Sequence, residues 1–240
     1  MASEDDLNDD LNDAINKGDL EKVKKLIKAK ADIHAEVTGE IDGMFPNYDY
    51  EDGLTPIHVA SQLGRTKILE TLVKAGAKID LEGRIGAGSG PRGRRRIQAI
   101  HLAAGNGKTE TVKALVKLKA DVTARAEVTI DGYPGEDTEY PGYDCAIHFA
   151  ADYGHADTVE ALVRLNADVN ERASYEIERI NSSDNDWNVL QEMEPIHIAA
   201  WRGHVDVVQT LVRLGANIEA EGCMEQTGAE RQVPLLNLNS

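Results

Sequence analysis

The sequence predicts an all-α repeat solenoid of five helix pairs with extended β-hairpin insertions between the repeats. Three observations predict it. One spacing recurs five times: a glycine, aliphatic residues 5, 8 and 9 positions later, and alanine at 13. Each recurrence puts its aliphatics on one helical face, which a lone pair of short helices cannot bury but a stack of copies can. Finally, the recurrences lie 46, 43, 47 and 49 residues apart, and the surplus always falls after the alanine.

The five sets are Gly18 with Val23, Leu26, Ile27 and Ala31; Gly64 with Leu69, Leu72, Val73 and Ala77; Gly107 with Val112, Leu115, Val116 and Ala120; Gly154 with Val159, Leu162, Val163 and Ala167; and Gly203 with Val208, Leu211, Val212 and Ala216. The units implied are 5–34, 54–80, 97–123, 144–170 and 193–219, within a single domain spanning 1–240. In the first, Lys17, Lys22, Lys24, Lys25, Lys28 and Lys30 give a polar outer face suited to a capping repeat. The second shows how a unit is built. Leu54-Thr-Pro-Ile-His opens a helix with Pro56 in its first turn, and Ile57, Val59 and Ala60 form an apolar stripe that ends at Gly64. A second helix begins near Thr66 and presents Ile68, Leu69, Leu72 and Val73; Gly76 stops it in a left-handed conformation.

Between the units run four segments, 35–53, 81–96, 124–143 and 171–192. Ala35-Glu-Val-Thr-Gly-Glu-Ile-Asp-Gly43 resembles Ala126-Glu-Val-Thr-Ile-Asp-Gly132. Val37, Ile41, Val128, Ile130, Tyr175, Ile177 and Ile180 alternate in part with polar residues, and Asp42-Gly43 and Asp131-Gly132 are hairpin-turn dipeptides. These segments read as lengthened hairpins projecting from one edge of the stack. The 81–96 segment, with Gly83, Gly86, Gly88, Gly90 and Gly93 among arginines, reads as a mobile basic loop. Residues 220–240 read as an irregular C-terminal cap or, from Val233-Pro-Leu-Leu236, the start of a further repeat.

Pro56-Ile-His58, Ile100-His101-Leu-Ala-Ala, Ile147-His148-Phe-Ala-Ala and Pro195-Ile-His197-Ile-Ala-Ala resemble the Thr-Pro-Leu-His-x-Ala signature of ankyrin repeats. Gly154-His155 and Gly203-His204 are similar to that family's helix junction, and Ala167-Asp-Val-Asn170 to its repeat ending. Thr stands before the signature only at Thr55; Gln98, Cys145 and Glu194 replace it, and Lys30, Lys119 and Asn166 replace the helix-ending glycine. These departures predict a weaker Thr–His contact and lower stability in their units. The resemblance implies a protein-interaction scaffold.

Composition narrows the function. The net charge of −16 disfavours whole-molecule binding to nucleic acid or anionic membranes. Two cysteines, no signal-peptide order at the N-terminus and no long apolar run lead to the expectation of a reducing, cytoplasmic setting. The histidines His58, His101, His148 and His197 recur a repeat apart, too far to share a metal, and are read as hydrogen-bonded turn residues. Gly105-Asn-Gly107-Lys108-Thr109 imitates a phosphate loop, but Leu102 stands where that loop needs glycine. No catalytic motif, cofactor or metal is expected, and the chain is read as non-catalytic.

The aromatic residues carry the functional signal. Phe45, Tyr48, Tyr50, Tyr133, Tyr140, Tyr143, Tyr175 and Trp187 lie in the hairpin segments; Tyr153 and Trp201 lie at the ends of first helices, positions that face the concave groove in ankyrin proteins; only Phe149 matches a core slot. They either hold the hairpins together or serve as binding anchors. The leading expectation is a protein-binding module for a basic or mixed-charge partner. A second is an RNA or phosphorylated ligand gripped by Arg92, Arg94, Arg95 and Arg96, and a third is self-association into a homo-oligomer through hairpin edges.

Overall fold

The computed structural model describes residues 4–37, 53–85, 94–130, 140–177, 188–219, 222–226 and 229–233. Among them ten helices follow in pairs: α1 (Glu4–Lys17) and α2 (Leu20–Lys28), α3 (Pro56–Gln62) and α4 (Thr66–Lys74), α5 (Ala99–Gly105) and α6 (Thr109–Lys117), α7 (Ala146–Asp152) and α8 (Ala156–Arg164), α9 (Pro195–Arg202) and α10 (Val205–Arg213). The first members pack on one another in the order α1, α3, α5, α7, α9, and the second members form a parallel row. The core lies between the rows. Leu69, Leu72, Val112, Leu115, Val159, Leu162 and Leu211 reach it from the second row, and Ile57, Ile100, Leu102, Ile147, Phe149 and Ile196 from the first.

The recurring alanine has a geometric cause. Each second-row helix ends with a left-handed residue, and the alanine after it donates its N–H back across the turn. Ala31 bonds to the Leu26 carbonyl, Ala77 to Leu72, Ala120 to Leu115, Ala167 to Leu162 and Ala216 to Leu211, at 2.9–3.0 Å. A second bond runs from the left-handed residue to the next carbonyl, as in Lys30 to Ile27. This is a Schellman cap, whose 6→1 bond fixes the five-residue interval between aliphatic and alanine. Gly76 and Gly215 fit the left-handed site at no steric cost, but Lys30, Lys119 and Asn166 also adopt it, at φ 72°, 82° and 74°. Their geometry is thus kept and the penalty is strain of about 1 kcal/mol each.

Among the described residues, eight strands fall in the segments between the pairs and after the last of them. They are β1 (Gly83–Ile85), β2 (Arg94–Ile97), β3 (Arg125–Ile130), β4 (Tyr140–Cys145), β5 (Ala173–Ile177), β6 (Asn188–Met193), β7 (Gly222–Gln226) and β8 (Ala229–Val233). They form two antiparallel sheets, β1-β2-β3-β4 and β5-β6-β7-β8. One expectation is corrected: residues 94–96 of the arginine run are strand rather than loop, because β3 offers β2 a pairing edge. Successive strand pairs are joined to one another, β2 to β3 and β6 to β7. The tail after 220 contains a further pair, β7 with β8. Of the first segment, Val37 donates to the Leu54 carbonyl at 2.6 Å. Ile41, the Asp42-Gly43 and Asp131-Gly132 turns and Ile180 lie outside the described residues.

Candidate functional site

The first-row helices α3, α5, α7 and α9 are so short that their ends dominate them. In each of these four, a histidine at the third helical position accepts a hydrogen bond at Nδ1 from the backbone N–H of the N-cap residue: Thr55 to His58, Gln98 to His101, Cys145 to His148 and Glu194 to His197, at 3.0–3.1 Å. Because Nδ1 accepts, the proton sits on Nε2. That nitrogen donates to the carbonyls of Leu81, Ala124 and Glu171 for the first three, each at 2.9 Å. The bridge therefore uses backbone, and it survives where threonine is replaced; Thr55 adds only its hydroxyl, 2.9 Å from Nδ1. The doubt raised by Gln98, Cys145 and Glu194 is resolved on this ground. Burial pushes His58, His101 and His148 down to about 4, so they are neutral, with both ring nitrogens committed to the main chain. Burial likewise pushes the Cys145 thiol up to about 12, leaving it no nucleophilic character at neutral pH.

A second set of bonds ties three of the pairs to their predecessors along the first row. The positions two before each junction glycine are Asn16, Gln62, Gly105, Asp152 and Trp201. Arg65 donates to the Asn16 carbonyl at 2.7 Å, His155 Nε2 to Gly105 at 3.0 Å and His204 Nε2 to Asp152 at 2.9 Å. The rings of His155 and His204 lie directly over Gly107 and Gly154, where an added Cβ would come within 2.7–2.8 Å of Nδ1. Here glycine is required both by its positive φ and by this close approach.

At the end of this row stands the most prominent exposed aromatic among the described residues. Trp201 is 43% exposed, and the Arg202 guanidinium lies 4.3 Å from its ring centre. Arg202 in turn pairs with Asp152 of the preceding helix, itself largely buried. The indole is thus held by a cation anchored one repeat away, a preorganised apolar face beside paired charges. Sequence reasoning singled out Trp201 but missed Asp152 and Arg202; their one-repeat offset, 50 residues, was the available signal. Tyr153 is half-buried and packs against the core, as Leu63 does at the equivalent position.

The strands bring other candidates together. Register places Arg84 opposite Arg96, Arg96 opposite Glu127 and Glu127 opposite Tyr143, one row across the first sheet; Arg94 is opposite Thr129 and Arg95 opposite Val128. Arg96 and Glu127 are 3.4 Å apart. Tyr140 is opposite Ile130, and Tyr175 opposite Leu190 in the second sheet. Phe45, Tyr48, Tyr50, Arg92, Tyr133 and Trp187 lie outside the described residues. Among the described residues no group of three or more His, Cys, Asp or Glu side chains is arranged to hold a metal, and no helix is long and apolar enough to cross a membrane.

No curated protein matches the chain. The family model described as ankyrin repeats (three copies) matches residues 11–126, 85–173 and 136–222. Those matches cover most of the sequence and coincide with the paired helices, the histidine bridge and the capped turns; the chain belongs to the ankyrin-repeat family.

Proposed function

We propose that this chain is a non-catalytic protein-binding module that holds a basic or mixed-charge protein partner across its inner helix row and its strand-paired insertions. Ankyrin repeats generally act as protein-interaction modules. The five helix pairs are read as five repeats, and the strand pairs as lengthened fingers between them. The observation that carries the binding reading is Trp201, exposed yet fixed by Arg202 and Asp152. Large aromatic area held rigidly before binding costs little entropy on association. The acidic balance of the chain supports a basic or mixed-charge partner. A reducing, cytoplasmic setting suits the buried thiol of Cys145.

Affinity capture from a lysate tests the reading, with wild type, Trp201→Ala and a variant shortened between β3 and β4 as baits. A specific partner retained by wild type and lost with Trp201→Ala, at an unchanged unfolding midpoint, supports it. Identical captures by all three baits count against the face.

One further observation favours a second reading, in which the basic row of the first sheet holds a phosphorylated or other anionic ligand, RNA included. Arg84 and Arg96 stand directly opposite one another with Glu127 as the near carboxylate, and like charges so placed repel unless an anion lies between them. Arg96→Glu would then abolish binding of a phosphorylated or RNA probe, and the wild-type affinity would fall steeply with salt. A flat salt response removes this reading.

A further inference from the structure

The second row is basic over its first three helices, in an acidic chain. Over the twelve residues after each junction glycine the net charge is +3, +2, +3, −1 and 0 along the array, against −16 for the whole chain. The first is five lysines against Asp19 and Glu21, the second one arginine and two lysines against Glu70, and the third four lysines against Glu110. The last two are Arg164 against Asp157 and Glu160, and Arg213 against Asp206.

A cation in the last helical turn is common to all five pairs. Lys28, Lys74, Lys117, Arg164 and Arg213 stand at one equivalent position, where the negative end of the helix dipole favours them. Beyond that position the pairs differ. Arg164 and Arg213 are both neutralised by Glu160, at 2.6 and 3.1 Å. In the first three pairs a second lysine follows two to four residues on, giving Lys28 with Lys30, Lys74 with Lys78 and Lys117 with Lys119. All six are exposed, and none has an ion-pair partner among the described residues. The nearby carboxylates are engaged elsewhere: Glu21 with Lys24, Glu110 with Lys113, and Asp32 and Asp121 with the backbone N–H groups of His34 and Thr123. Lys30 and Lys119 also hold φ 72° and 82°, where Gly76 and Gly215 sit without strain. Asn166 is left-handed too, but asparagine tolerates that region better than most side chains. Lysine has no such preference, so stability is given up at two positions that keep the row charged.

The spacing of the row indicates its ligand. α2 packs on α4 and α4 on α6. Packed helix axes lie about 8–10 Å apart, so the three lysine pairs form a line about 20 Å long. In an extended chain every third residue advances about 10 Å, the same step. About seven extended residues therefore span the row, with a carboxylate facing it at every third. The cations agree with this. A lysine ammonium is a point charge that a lone carboxylate approaches from any direction, whereas phosphate recognition favours the arginine fork. Among the described residues the exposed large apolar side chains, Trp201, Val205, Val212 and Ile218, lie in or after the last pair, so none stands beside the lysines to enter a bilayer.

We propose that the lysine row at the ends of α2, α4 and α6 docks an extended acidic segment of a partner protein. The row and the Trp201 face are then separate surfaces, suited to partners of opposite charge.

Fluorescence anisotropy with a dye-labelled decaglutamate peptide tests this on the full chain. Saturable binding is expected, weakening as salt rises and about tenfold weaker in the double variant Lys74→Gln/Lys117→Gln. Arg84→Gln/Arg96→Gln, which removes the same charge from the first sheet, and Trp201→Ala are expected to bind the peptide as wild type does. Lys119→Gly is expected to weaken binding about threefold while raising the urea midpoint, a separation that a purely structural residue would not give. Wild-type affinity in Lys74→Gln/Lys117→Gln overturns the docking, as does a loss confined to Arg84→Gln/Arg96→Gln. Vesicles containing phosphatidylserine, or polyuridylate, bound through the same lysines as tightly as the peptide would overturn the assignment to an acidic polypeptide.

Discussion

Lys119 holds φ 82° at the end of α6, and Gly107 holds φ 65° at the junction between α5 and α6; the two positions respond oppositely to substitution. Lys119→Gly removes the left-handed strain and leaves the Ala120–Leu115 bond in place. We expect it to raise stability by about 1 kcal/mol, seen as a higher urea midpoint with unchanged slope. Gly107→Ala adds strain and pushes a methyl into the His155 ring, disturbing the His155–Gly105 bond. We expect a loss of about 2 kcal/mol in the same measurement. At this scale the sequence was informative in one respect and silent in another. The 5, 8, 9 and 13 spacing exposed the cap because local backbone bonds impose it. That lysine and asparagine would accept the glycine's conformation was not legible, since nothing local forbids or demands it. Nor was the Trp201–Arg202–Asp152 contact, which depends on stacking across a repeat.

The first-row helices α3, α5 and α7 are each anchored at their start by a neutral histidine. His58, His101 and His148 are held well below the ordinary histidine range by burial. The sign follows from linkage. The unfolded chain takes up protons near pH 6.5, the folded chain only near 4, so stability is complete above 6.5 and falls as the pH drops between those values. Each such histidine contributes a slope of up to about 1.4 kcal/mol per pH unit in that window. His101→Asn, which places in α5 the residue that α1 carries at Asn12, is expected to lower stability at pH 7.5. Its unfolding free energy should then fall less steeply between pH 6.5 and 4, as read from urea titrations at several pH values. An unchanged slope would show that His101 titrates normally in the fold. Strands were less legible than helices. The Gly-Arg composition of 81–96 hides any period of two, and β2 forms because β3, some 30 residues later, provides its partner.

Among the described residues, each helix pair packs chiefly on its neighbours, with ladders such as Thr66–Thr111 and Thr109–Thr158 between second-row helices at 2.7–2.8 Å. Stability in such an array is a sum of units and interfaces. Both tryptophans, Trp187 and Trp201, lie in the C-terminal part, so fluorescence reports on that end alone while circular dichroism reports on every helix. Leu69→Ala in α4 opens a core cavity worth about 3 kcal/mol. We expect circular dichroism to lose amplitude at lower denaturant while the fluorescence midpoint moves little. A concerted shift of both signals would mean that the array unfolds as one unit.

The joining of β2 to β3 and of β6 to β7 has a dimensional consequence. Neighbouring strands stand about 4.8 Å apart, so two of them advance about 9.6 Å. Packed helix axes lie about 8–10 Å apart. Two strands per helix pair therefore keep pace with the helices, and the ribbon and the rods share one ruler. A segment lengthened by a third strand would outrun the layer beneath it and force the column to bend away. Growth in these segments is thereby channelled into longer strands, outward from the column, instead of more of them.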